Sequence, residues 1–303
     1  MKPGIDPKVD CVFKAILGAK DHTALLRHFL NAVLSPEAGI RINEVEILNP
    51  YNEREFESDK LSVVDIKARD ERGRWFQIEI QLLLHPSLTS RMLYTWSTIY
   101  HSLLQKGKDF TALRPVVAIW LVNETLFAVP GAWHVPFVPW NREYGLLLSE
   151  DFRIDVLQLP EWRMQEQVYG ELDRWMYLFT EGEAVDVEHP PVILQTEEMK
   201  QAMGVLQHFA ENEREYMMYQ KRLDSERVES SWKTRNEQLQ TAFEQARREQ
   251  ALERQARERA EREQALERQA REQAELERES ERQAKERLLL MLKQAGIEPN
   301  SPF

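Results

Sequence analysis

The sequence predicts an α/β fold, a mixed central sheet flanked by helices, followed by a long charged helix. Two alternating runs, Leu61–Ala68 and Trp75–Leu82, flank the polar Asp70-Glu71-Arg72-Gly73 and read as a hairpin. A continuous apolar stretch, Val116–Val122, has the character of a strand buried on both faces. Segments of helical spacing lie around these strands. Beyond Trp232, the last of eight tryptophans, the chain is mostly Glu, Arg, Gln and Ala.

Taken in order, residues 1–9 hold two prolines and a glycine and read as an irregular lead-in. Asp10–Leu17 and His22–Leu34 space their apolar residues as helices do, with Gly18 between them and Ser35-Pro36 at the end. Ile40–Leu48 alternates into a first strand, and Asn49–Lys60 is polar and turn-like. After the hairpin, Leu88–Gln105 reads as a long helix, with Arg91 and Tyr94 three apart and therefore on one face. Residues 129–145, rich in proline and aromatic residues, read as a rigid loop, and Phe152–Leu159 as a further strand ended by Pro160. Glu171–Phe179 and Glu197–Tyr219 read as helices. The globular part is expected over 1–220 and a helical tail over 221–303. In that tail REQALERQARE begins at Arg248 and again at Arg262, which are 14 residues or two heptads apart. Seam positions hold Arg259 and Glu263, so the apolar stripe is thin for a coiled coil. Glu253–Arg257, Glu258–Arg262 and Glu267–Arg271 are spaced to pair along the helix.

The hairpin sorts its residues by face. Val64, Ile66, Phe76, Ile78, Ile80 and Leu82 are apolar, while Asp65, Lys67, Gln77, Glu79 and Gln81 alternate with them. With a turn centred near Arg72, Asp65 faces Glu79, Cβ atoms about 5 Å apart. Gln81 is two along on the same face and Lys67 lies on the diagonal. Two facing carboxylates destabilise a sheet unless something positive sits between them. A hard divalent ion such as Mg²⁺ does this, taking carboxylate oxygens and completing its shell with water or phosphate. A solvated polar face on an ordinary hairpin has the same pattern, and the pattern leaves both readings open.

These residues also resemble a family. Asp65 followed by Glu79-Ile80-Gln81 is similar to the PD-(D/E)XK nuclease signature in the E-x-Q form of the Rpn family of recombination-promoting nucleases and transposases. Asp10-Cys11-Val12-Phe13-Lys14, Phe29-Leu30-Asn31-Ala32-Val33-Leu34, Asp65-Ile66-Lys67-Ala68 and Arg91-Met92-Leu93-Tyr94 match it in order over roughly the first 110 residues. The resemblance implies a restriction-endonuclease-like core and a metal-dependent DNA endonuclease. Asp65 and Glu79 would hold Mg²⁺ (Mn²⁺ or Ca²⁺ in its place), with the Ile80 carbonyl as a further ligand and Asp10 nearby. Gln81 stands where the wider superfamily has a lysine, so either Lys67 substitutes or Gln81 positions water. Lys14, Lys60 and Arg91 are candidates for phosphate contact; the plain alternatives are solvated lysines and a surface ion pair. Val64 replaces the motif proline, and Leu157-Gln158-Leu159-Pro160-Glu161 lacks the acid and lysine that the family often has there.

Composition narrows the classes further. A formal charge of −11 argues against a protein that coats nucleic acid by bulk charge, though not against a carboxylate-bearing nuclease. The single cysteine, Cys11, permits no intrachain disulfide, and the histidines lack ligand spacing. No segment reads as a signal peptide or membrane span, so a cytoplasmic protein is expected. DNA is the expected partner, with a homodimer through the C-terminal helix. The alternative is a catalytically weak nuclease-fold scaffold whose tail recruits partners. A transposase performing strand transfer ranks lower, because no separate helix-turn-helix domain is recognisable.

Overall fold

The computed structural model describes residues 4–34, 41–49, 66–164 and 170–294. The chain divides into two compact units, Met1–Ser230 and Ser231–Phe303. Among the described residues of the first unit, β1 (Val45–Ile47), β2 (Ile66–Asp70), β3 (Trp75–Gln81), β4 (Val116–Val122), β5 (His134–Phe137) and β8 (Phe152–Gln158) form one sheet. Its order is β1-β2-β3-β4-β8-β5; β6 (Trp140–Asn141) and β7 (Leu146–Leu147) make a separate small ribbon. β3, β4 and β8 run parallel, whereas β1, β2 and β5 are antiparallel to their neighbours.

The hairpin forms where its alternation places it. Gly73 takes φ +79°, the left-handed value its missing Cβ allows, and its N–H donates to the Asp70 carbonyl at 3.0 Å. The buried Asp70 carboxylate ties the turn together. Its Oδ1 accepts from the amides of Arg72 and Arg74 at 3.0 and 2.8 Å, and its Oδ2 from Arg74 Nε at 2.6 Å. The register Ile66↔Ile78 and Lys67↔Gln77 is the one a turn centred near Arg72 requires.

β4 is buried at every residue, as its unbroken apolar run predicts. The parallel β3–β4 step requires a crossover, supplied by α3 (Leu88–Ser102), which covers one face of the sheet. There Leu88 and Met92 pack on Ala118, Trp120, Val122, Ile154 and Val156. The other face belongs to the larger core, built with α1 (Asp10–Leu17), α2 (Thr23–Leu34), α4 (Glu171–Glu181) and α5 (Glu197–Glu211). Every residue of α1 after Asp10 is buried, the mark of a helix enclosed on all sides. Trp175 meets Phe29 edge-on and stacks on Phe179, and its indole N–H donates to His28 Nδ1 at 2.9 Å.

Several expectations need correction, and the first strand is confined to Val45–Ile47. Residues 129–145 are not loop throughout, because β5 adds an edge strand there. Pro136 is tolerated since an edge strand need not donate on its outer side. Gln158 secures the connection before β5: its Oε1 accepts from Leu126 and Phe127 amides, while its Nε2 donates to the Ala132 and Phe127 carbonyls. The helix expected over Glu197–Tyr219 ends at Glu211 and restarts. Asn212 Oδ1 accepts from the amides of Arg214 and Glu215, an N-cap that opens α6 (Glu213–Gln294). Along α6, Glu267 pairs with Arg271 at 2.7 Å as its spacing predicts, but Glu258 pairs with Arg254 and Arg257 with Glu261. Among the described residues, no helix is long and apolar enough to cross a membrane.

Asp70→Ala should destabilise the protein by about 3 kcal/mol in urea unfolding, because it leaves the enclosed Arg74 without its charge partner. An unchanged midpoint would show that the turn holds without this carboxylate.

Candidate active site

The polar positions of β3 do not face water. α3 lies over that face, and Glu79 is left 2 % exposed with Gln77 fully buried. The reading of a solvated face therefore fails for Glu79. On β2 the same face is more open: Lys67 is half-buried and the exposed Arg69 pairs with Glu46 at 2.6 Å. A buried carboxylate must be hydrogen-bonded and charge-paired to stay ionised. Glu79 has both. Its Oε1 accepts from the Gln77 amide, and its Oε2 from Arg91 Nη2 at 2.9 Å.

Arg91 stands on the first turn of α3, at the border between its sheet-facing and its exposed side. Its Nη1 donates to Gln81 Oε1 at 3.0 Å, so one guanidinium fork grips Glu79 and Gln81 together. The Trp120 ring, on β4 beside Glu79, lies under it with 5.4 Å from ring centre to Arg91 Cζ. The Gln81 amide nitrogen donates to the Leu83 carbonyl at 2.9 Å, which fixes which way the side chain points. Gln81 thus has its oxygen on Arg91 and its nitrogen on the backbone. It orients the arginine.

The other expected site residues distribute unevenly. Lys67 lies opposite Gln77, diagonal to Glu79, as the hairpin reading has it. Ile80 sits between Glu79 and Gln81 with its side chain packed on the larger core. Lys14 is not the solvated lysine its plain reading expected; it is 8 % exposed on the enclosed α1. Asp10 opens α1, and its Oδ1 lies 3.7 Å from Arg222 Nε on α6. Asp65 and Lys60, and with them the expected Asp65–Glu79 pair, lie outside the described residues. Among the described residues no group of three or more His, Cys, Asp or Glu could hold a metal ion.

Gln77 and Trp120 complete the site, and the sequence pattern assigned neither a role. The available signal was a polar residue on a strand flanked by a fully apolar strand. That combination implies a covered face. A second buried charge cluster also went unread: Asp155 accepts from Arg153 Nε at 2.6 Å and Nη2 at 2.9 Å, and lies 2.7 Å from His134 Nε2. It belongs to the opposite face of the sheet. Asp155 pairs with Ile119 of the larger core, whereas Glu79 pairs with Trp120, which faces α3. The cluster ties edge strand β5 to β8.

A mixed sheet with α3 on the face that carries Glu79, and an E-x-Q triplet on the second hairpin strand, define a nuclease-type α/β fold. A family model described as PD-(D/E)XK nuclease family transposase matches residues 7–236. The chain belongs to this family, and its sheet and helices are the PD-(D/E)XK α/β core followed by a long C-terminal helix. No curated protein matches, and no solved structure does.

One acid near Asp10 titrates abnormally. The Glu226 pKa is raised to about 7, first by burial and then by the charges of Asp10, Asp6 and Glu229, with Arg222 opposing. A carboxyl whose pKa is higher folded than unfolded costs stability as pH rises from the unfolded value toward 7. Glu226→Gln should therefore raise the melting temperature at pH 8 and leave it unchanged near pH 4. Equal effects at both pH values in thermal melts would refute the assignment.

Proposed function

We propose that the protein is a metal-dependent DNA endonuclease acting at Glu79. The observation that carries this is a buried glutamate gripped by Arg91 in the family's E-x-Q position. The donor set fits a hard ion, being carboxylate and carbonyl oxygen. Asp65 and Glu79 would hold Mg²⁺, with Mn²⁺ or Ca²⁺ as substitutes and the Ile80 carbonyl as a further ligand. Held there, such an ion would supply a water of lowered pKa and positive charge beside the scissile phosphate.

The chain's own residues do the rest. Gln77 and Arg91 fix Glu79 in place before substrate arrives. Gln81 cannot carry the positive charge of the superfamily lysine. It holds Arg91 instead, and Arg91 brings that charge from the helix. The Arg91 side chain, 42 % exposed, can reach phosphate from one side while keeping Trp120 under its guanidinium. Among the described residues Lys67 is a further cation near the triplet. Asp10 assists through water in this reading.

A second reading rests on the same ion pair. Arg91 occupies a Glu79 oxygen, so a chain that never releases it is a weak or inactive nuclease-fold scaffold. The remaining parts of the proposal are a nuclease domain over 1–220 with a helical tail over 221–303, weak homodimerisation through that tail, a reducing cytoplasmic setting, and a role in recombination or mobile elements.

Purified protein should nick supercoiled plasmid with Mg²⁺ or Mn²⁺ and not with EDTA. Asp65→Ala and Glu79→Ala, folded by circular dichroism, should each lose at least about 100-fold, the upper range for losing mere outer-shell support. Activity that survives in both variants overturns the site. A silent wild type on duplex, single-stranded and branched DNA favours the scaffold.

A further inference from the structure

Acidic residues are frequent in this chain, 51 of 303, yet none occurs from Leu82 to Lys108. That stretch leaves β3 beside Gln81, forms α3 and ends in the turn Gln105–Lys108. It carries His85, Arg91, His101, Lys106 and Lys108. The inner side of α3 is spent on the sheet through Leu88, Met92 and Trp96. Its outer side is open. Arg91, Tyr94, Thr98 and His101 follow one another at helical spacing and are all exposed, and Lys106 and Lys108 lie exposed just beyond the helix end. Tyr94 is 71 % exposed and the adjoining Leu93 54 %. An aromatic ring left in water on a stretch without acidic residues has no role in the core. It is placed to be covered.

We infer that this outer face of α3 is the track along which a DNA strand runs to Glu79, with one unpaired base stacked on Tyr94 and phosphates near His101, Lys106 and Lys108. The inference rests on the nuclease reading above and adds where the substrate lies. Charge complementarity selects the occupant. A phosphodiester strand is repelled by most of a surface with net charge −11, and this face offers it cations with no carboxylate of its own. Geometry agrees: Arg91 to His101 spans about 15 Å along the helix. That length takes several nucleotides, a stacking platform and flanking cations being how single strands are held without sequence readout. Arg91 joins the two regions, since it borders the track and grips Glu79.

The test uses the full chain in EDTA, where no cleavage intrudes, and fluorescence anisotropy of labelled poly(dT). Tyr94→Ala should bind about 10-fold more weakly and Tyr94→Phe should bind as wild type does. Lys106→Gln with Lys108→Gln should lower the slope of log affinity against log salt by about 1.4. Melting temperatures should stay unchanged, because all three side chains are exposed. Wild-type affinity and slope in these variants, alongside normal plasmid nicking, overturn the track and leave the nuclease reading intact. A wild type that binds no DNA at all overturns both.

Discussion

A carboxylate buried under a helix must be neutralised or compensated, and much of the first unit is arranged around compensating Glu79. The charge sits on β3, between the more open β2 and the fully buried β4. α3 closes over it and brings Arg91 to its oxygen, Gln77 supplies the other hydrogen bond, and Trp120 provides a flat apolar floor for the guanidinium. Removing one partner of such a pair is costly because the survivor stays buried. The same enclosure gives the glutamate a fixed position, which a metal-ligating or charge-stabilising group needs. Packing and chemistry therefore make one demand on these residues.

The two faces of the sheet divide the labour. On one, α1, α2, α4 and α5 enclose the larger apolar core, and the Asp155–Arg153–His134 cluster links edge strand to centre. On the other, one helix covers a smaller apolar patch and the Glu79 site, and its far side stays open. The side with more enclosure carries stability. The thinner side is left accessible, which the proposed contact with DNA needs.

Much of this was legible in the residues. Asp70–Gly73 and the strict alternation around it set the hairpin register, since a slip by one residue would turn Ile66 and Ile78 outward. The unbroken Val116–Val122 run could only be a strand covered twice. Less legible was what covers each face. Alternation shows that Gln77 and Glu79 point away from Ile78; it does not say that α3 waits on that side. Lys14 is the same case, as a helix enclosed all round buries even its lysine. The edge strand at His134–Phe137 was masked by prolines that an edge accepts, and the break at Asn212 by apolar spacing that continues across it. Gln81 was read as positioning water, or as leaving the lysine's role to Lys67, because its neighbours in space, Arg91 and the Leu83 carbonyl, are set by the chain turning back after β3.

Anomalous diffraction from crystals soaked in Mn²⁺ tests the central claim without relying on activity. The account predicts a peak within coordination distance of a Glu79 oxygen, absent from Glu79→Gln crystals grown alike. A peak at the acids around Asp10 and Glu226, or none at Glu79 under saturating metal, would contradict it.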